Sequence, residues 1–125
     1  MPITNYQFEN RIFFAKENGQ ISEDDAKTWS EQLKEATETS DLPIIALVDA
    51  MDVTAMHRAA QQIFAKSAHF DNLLAVVVAT NSIASLQSRT IGFLGRRGCT
   101  RIFPSLEEAR QDTKQILAQH QAAYK

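Results

Sequence analysis

The sequence predicts an α/β fold: a single-domain mixed β-sheet, with an N-terminal antiparallel hairpin plus parallel strands, flanked by about four helices. Three observations lead there. Ile44, Ile45, Ala46, Leu47 and Val48, and later the run from 73 to 79, are apolar without alternation, as strands covered on both faces are. Segments with apolar residues at helical spacing separate these runs, which makes neighbouring strands parallel through right-handed crossovers. Ahead of the first helical segment stand two short β-rich stretches with a turn between them, an antiparallel hairpin.

Taken in order, Tyr6 and Phe8 alternate with polar neighbours, and Glu9 and Asn10 can turn the chain. Arg11, Ile12, Phe13, Phe14 and Ala15 form the second strand, bounded by the turn signal of Asn18 and Gly19. Ser22 followed by Glu23, Asp24 and Asp25 marks a helix start. The hydroxyl can accept from an orphan amide, and the carboxylates suit the positive end of the helix dipole. Ala26, Trp29, Leu33 and Ala36 then line one face. After Leu42 and Pro43 comes the first buried run. A second helix is expected over about 55–69, with Met56, Ala60, Ile63, Phe64 and Ser67 on one side. The second buried run leads to Asn81 or Ser82, either able to cap a third helix carrying Ile83, Leu86, Thr90 and Phe93, with Gly95 or Gly98 at its end. A short strand over 100–103 follows. Ser105 and Glu108 make a capping box for a last helix with Leu106, Ala109, Thr113, Ile116 and Leu117. The domain is expected to fill 1–125, with its core at about 8–117 and a frayed tail over 118–125.

Composition narrows the function classes. At 125 residues the chain buries roughly two-thirds of its unfolded surface, enough for a core without metals or disulfides. The single cysteine, Cys99, excludes an intrachain disulfide framework and reads as a small buried hydrophobe. The N-terminus lacks a basic segment followed by an apolar run, and no apolar run approaches the roughly 20 residues of a membrane span, so a cytoplasmic protein is expected. A net charge of −2 argues against a dedicated nucleic-acid binder. That figure is a cancellation. Between 17 and 41 stand eight carboxylates against Lys27 and Lys34, a net −6, whereas Arg89, Arg96, Arg97 and Arg101 form a basic cluster. Such asymmetry either steers a charged partner or is two solvated faces of one domain.

Ligands of open α/β sheets bind outside the carboxyl ends of the parallel strands. Asp49, Asp52, Thr54, His57 and Arg58 fall there on an expected loop. A carboxylate-oriented imidazole can act as a general base, with Thr54 as nucleophile, but the spacing is not specific. The simpler expectation is that Asp49 satisfies loop amides, Thr54 caps the second helix and His57 sits in its exposed first turn. No metal-ligand spacing is recognisable, and no cofactor is expected. The glycines at 92, 95 and 98 resemble a phosphate loop only superficially, since they end a helix and enter a strand.

The apolar strand ending in Asp49, then Val53 and Thr54, a helix, the run 73–79, and the ending Arg101-Ile102-Phe103-Pro104-Ser105-Leu106-Glu107-Glu108-Ala109 resemble the STAS domain of sulfate transporters and anti-sigma-factor antagonists. The similarity is to the branch of bacterial proteins like the stage II sporulation anti-sigma-factor antagonist (SpoIIAA-like), over about 8–117. It implies a four- or five-stranded mixed sheet and a regulatory, non-catalytic role. It also implies a protein partner, an anti-sigma factor that is also a kinase. In such antagonists a serine at the start of the second helix, within Asp-Ser-Ser-Gly or Asp-Ser-Thr-Gly, is phosphorylated to break the complex. The added charge, up to about −2, repels a complementary surface. Counted without gaps from Asp49, this chain has His57, Arg58, Ala59 and Ala60 there, and the serine falls on Ala59. The resemblance therefore implies a STAS-like module without that switch.

Two functions remain open. The first is a regulatory or protein-interaction module, with its surface at Asp49, Asp52, Thr54, His57 and Arg58. The second is a carrier of a small apolar or lipid-like ligand, lined by Met51, Met56, Ile63, Phe64, Phe70 and Phe93. An exposed edge strand offers a route to a homodimer.

Overall fold

Strand β1 (Ile3–Glu9) turns into β2 (Ile12–Ile21) through Asn10 and Arg11, whose φ angles are 53° and 66°. Positive φ at both central positions is the two-residue hairpin turn whose twist matches that of the strands. The turn thus sits one residue later than Glu9 and Asn10 would put it. Arg11 is held in this backbone by its side chain: Nε donates to the Pro43 carbonyl at 2.8 Å, and a terminal nitrogen lies 2.9 Å from His120 Nδ1.

The computed structural model describes residues 3–67, 69–80 and 100–124. Helix α1 (Glu23–Thr39), β3 (Ile44–Met56), α2 (Arg58–Ser67), β4 (Leu73–Ala79), β5 (Thr100–Phe103) and α3 (Leu106–Tyr124) complete the order. The sheet runs β1-β2-β3-β4-β5. The first pair is antiparallel and the other three are parallel. This is the mixed sheet with an N-terminal hairpin that the apolar pattern predicts. Three helices stand among the described residues. The expected helix over Ile83 to Phe93, the glycines that follow it and Cys99 lie outside them.

Helix α1 starts as its sequence indicates. The Asp25 amide donates to Ser22 Oγ at 3.2 Å and the Ser22 amide donates to Asp25 Oδ2 at 2.9 Å, a closed capping box. Its C-terminal carbonyls are served from across the chain, where Asn72 Nδ2 donates to Thr37 O at 2.9 Å and to Ser40 O at 3.0 Å. Helix α3 has half of the expected box: the Glu108 amide donates to Ser105 Oγ at 3.2 Å, and the Glu108 carboxylate takes the Ser105 hydroxyl instead of a backbone amide.

The sheet divides two cores. On one face α1 and α2 cover Phe13, Ala15, Ile44, Ala46, Val48 and Val76 with Trp29, Leu33 and Phe64. On the other, α3 brings Ala109, Ile116 and Leu117 against Ile45, Leu47, Ala75 and Val77. Four expectations change in detail. The core begins at Ile3, 4% exposed, and Phe8 at the hairpin end is 41% exposed. A bulge at Asn5, φ 54°, explains this: the register slips between Thr4 and Gln7, so Ile3 and Tyr6, three apart, share the α1 face. Asn18 and Gly19 do not turn the chain but lie within β2, where Gly19 takes φ 64° beside a register shift. Helix α2 begins three residues later than Ala55, because β3 continues to Met56. The last helix runs to Tyr124, past Ala118 where fraying was expected.

Candidate functional site at the end of strand β3

Strand β3 overhangs the sheet. Its pairing with β4 stops at Asp49 opposite Ala79, while its pairing with β2 continues to Met56 opposite Ile21. Of the residues expected on a loop, Asp49 therefore ends the part of β3 paired on both sides, and Asp52 and Thr54 sit on a two-stranded parallel ribbon. The reason the sequence hides this is the register. Lys16 pairs with Asp49 and Asn18 with Asp52, so two steps on β2 match three on β3. In a regular strand residues three apart point to opposite faces. The bulge brings both aspartates to one side, where Lys16 Nζ lies 3.4 Å from Asp49 Oδ2 and 3.1 Å from Asp52 Oδ2. Asp49 also accepts from the Met51 amide at 3.2 Å, serving a backbone amide as expected, though within a strand. The hydrogen bond to Asp52 and the charge of Asp49 push the Lys16 ammonium above its usual range. This lysine is a partner that the pattern of the sequence did not single out.

The second shift in the ribbon lies between Gly19–Val53 and Gln20–Ala55, which leaves Thr54 as the extra, exposed residue. Thr54 does not cap α2, since it stands four residues ahead of Arg58. His57 does. Its carbonyl accepts from the Gln61 amide at 3.0 Å, its Nδ1 accepts from the Ala59 amide at 3.1 Å, and its own amide donates to Ile21 O at 2.9 Å. An amide can only donate, so Nδ1 presents its lone pair and the ring proton is on Nε2. The hydrogen bonds that engage Asp49 and Asp52 go to Lys16 and Met51, and those of His57 go to its own helix and β2. The carboxylate–imidazole arrangement of a general base is not what these bonds build. His57 and Arg58 are exposed at the junction, and Asp52 and Thr54 are exposed beside it.

Of the apolar residues proposed to line a ligand site, Met56, Ile63, Phe64 and Phe70 pack on the α1/α2 face. Met51 belongs to the opposite core, and Phe93 lies outside the described residues. The sheet itself separates Met51 from the others. Phe64 meets Trp29 edge-on with ring centroids 4.7 Å apart, and Trp29 meets Phe13 at 6.4 Å. Trp29 is fully buried, and its Nε1 has no hydrogen-bond partner among the described residues. The same face buries Glu17, and the Tyr6 hydroxyl nearby is pushed up to about 12, first by burial and then by the charges of Glu17 and Asp25.

The basic cluster is represented by Arg101 alone, whose guanidinium holds both oxygens of the buried Asp112 carboxylate on α3, the second contact at 3.0 Å. Arg89, Arg96 and Arg97 lie outside the described residues. Among those residues no group of three or more His, Cys, Asp and Glu side chains could hold a metal ion. No described helix is long and apolar enough to cross a membrane.

No sequence-family model matches the chain, and no curated protein matches it in sequence. Similarity is found among solved structures. An uncharacterised protein of the DUF3478 family with a SpoIIAA-like fold, from Shewanella loihica, superposes with TM-score 0.66 at 15% identity, over 89% of this chain and 93% of its own. An anti-sigma factor antagonist from Mycobacterium paratuberculosis superposes with TM-score 0.67 at 15% identity, over 90% of this chain and 94% of its own. The chain has a SpoIIAA-like fold.

Proposed function

We propose that this chain is a non-catalytic regulatory module that binds a protein partner through the junction of β3 and α2. The observation that carries the reading is the exposed set Asp52, Thr54, His57 and Arg58, held on a rigid ribbon and a capped helix start. The ribbon and cap fix the backbone that carries these side chains before any partner arrives, which lowers the ordering cost of binding. The similarity in fold to an anti-sigma factor antagonist supports a partner of the anti-sigma-factor or kinase-like class. The helix start carries His57, Arg58, Ala59 and Ala60, so it offers no hydroxyl for phosphorylation, and binding is not switched there by a phosphoserine. The module works in the cytoplasm as one domain spanning the chain.

The competing reading is a carrier of a small apolar or lipid-like ligand. Trp29 of α1 meets Phe64 of α2 edge-on between the two helices, and Met51 lies across the sheet from the other proposed lining residues. Both observations favour the interaction module.

The test is calorimetric titration with an anti-sigma factor of the histidine-kinase-like ATPase type encoded near this chain. Arg58→Ala is expected to weaken binding about ten-fold, as a well-placed interface arginine does. Gln119→Ala, on the far end of α3, is expected to leave it unchanged. Binding that survives Arg58→Glu at full strength overturns the assignment of this surface. A clean ligand-free mass in native mass spectrometry removes the carrier reading.

A further inference from the structure

We propose that His57 makes the start of α2 responsive to protonation, so that acidification releases the first helical turn at the partner-facing junction. The inference rests on the reading that this junction is the binding surface. Its basis is the direction of one hydrogen bond. The Ala59 amide donates to His57 Nδ1 at 3.1 Å, and that bond exists only while the ring is neutral. An imidazolium has no lone pair to offer, and it would stand at the positive end of the helix dipole. The first turn of α2 contains no acidic residue that could take over the role. Met56 ends β3 directly before the ring, and Gln61 Nε2 closes the same turn by donating to Met56 O at 3.2 Å.

Three elements meet at His57, and their ionisable groups do not replace the cap. On α2 the neighbour is Arg58, a cation. The His57 amide is tied to Ile21 O at the end of β2, and α1 follows directly with Glu23, Asp24 and Asp25. Asp25 is held by Ser22, and Glu23 pairs with Lys27 at 3.3 Å. On β3 the nearest carboxylate in sequence, Asp52, is paired with Lys16. Protonation of His57 therefore leaves the Ala59 amide to water and loosens the helix start that presents Arg58.

The experiment is nuclear magnetic resonance on the full chain without any partner. Wild type is compared with His57→Asn, whose side-chain oxygen caps a helix without titrating. Between about pH 7.5 and 5.5, where imidazoles change charge, protection of the Ala59 amide from exchange, corrected for its intrinsic rate, is expected to fall in wild type. The expected fall is about five-fold, the size of one helix cap. In His57→Asn the protection is expected to stay constant. The variant leaves His69 and His120 in place, so a fall that recurs in it belongs to another group and overturns the proposal. Unchanged protection in wild type overturns it as well, as does a ring nitrogen spectrum placing the proton on Nδ1 at pH 7.5. Because no partner takes part, failure here leaves the interaction surface standing. Loss of that surface in the binding assay leaves the protonation-sensitive cap standing.

Discussion

Trp29 has the largest side chain that the fold buries completely, and it does so with a polar atom unserved among the described residues. Two terms of opposite sign meet in one residue: the dispersion and apolar burial of a large ring, and the desolvation of its N–H. The sizes decide which dominates. Trp29→Ala is expected to cost about 3–5 kcal/mol, as truncation of a core aromatic does. Trp29→Phe removes the N–H along with part of the ring and is expected to cost well under half of that. Urea midpoints of the two variants check this, and equal losses would mean that the indole N–H is satisfied after all. Tyr6 supplies a second single-residue expectation. Its hydroxyl is raised from 10.0 to about 12 in the folded chain, while the unfolded chain ionises near the ordinary value. Between those pH values the folded state holds a proton that the unfolded state has lost, so stability falls as pH rises through that window. Denaturation of Tyr6→Phe between about pH 10 and 12 is expected to show a shallower loss than wild type.

Among the elements, the ones that follow a local rule were legible and the ones shaped by pairing were not. Helix α1 is the clear case: a serine, three carboxylates and an apolar face at helical spacing announce its start and its buried side. Ser22→Ala is expected to cost about 1 kcal/mol. Asp25→Ala on top of it should cost little more, because the two residues close one box and share its energy. Thermal unfolding of the single and double variants measures this, and full additivity would break the box. Strand β3 is the opposite case. Its apolar half, 44–48, is readable because both faces are buried, but past Asp49 the strand is held by β2 alone. There the two register shifts destroy the alternation that marks a strand, so Asp49 to Met56 reads as a loop. The same shifts assemble the site: they set Asp49 and Asp52 beside Lys16 and leave Thr54 exposed. The site residues could be named from their position after a buried strand. Their mutual geometry could not, because it depends on which residue of β2 lies opposite.

For the molecule as a whole, the division into two cores sets how much of the chain the fold needs. Among the described residues the α1/α2 face is covered by two helices, whereas the other face is covered by α3. Along α3 the buried or half-buried residues up to Leu117 are Leu106, Ala109, Asp112, Thr113, Ile116 and Leu117; beyond them Gln119 is exposed and His120 half-buried. Past that point His120 bonds to Arg11 at the hairpin turn. Two truncations should therefore behave differently. Removing 119–125 deletes that bond and is expected to cost about 1 kcal/mol. For a domain of this size that is a drop in Tm of about 3–6 °C with cooperative unfolding intact. Removing 113–125 also strips Thr113, Ile116 and Leu117 from Ile45, Leu47 and Val77. Two half-buried branched apolar side chains, each at up to about 1.5–3 kcal/mol, together with buried Thr113 amount to a large share of the roughly 5–15 kcal/mol that holds a small domain together. The shorter chain is expected to lose its cooperative calorimetric transition. If it instead unfolds like the longer one, α3 is an accessory of the sheet and the second core is held by its strands alone.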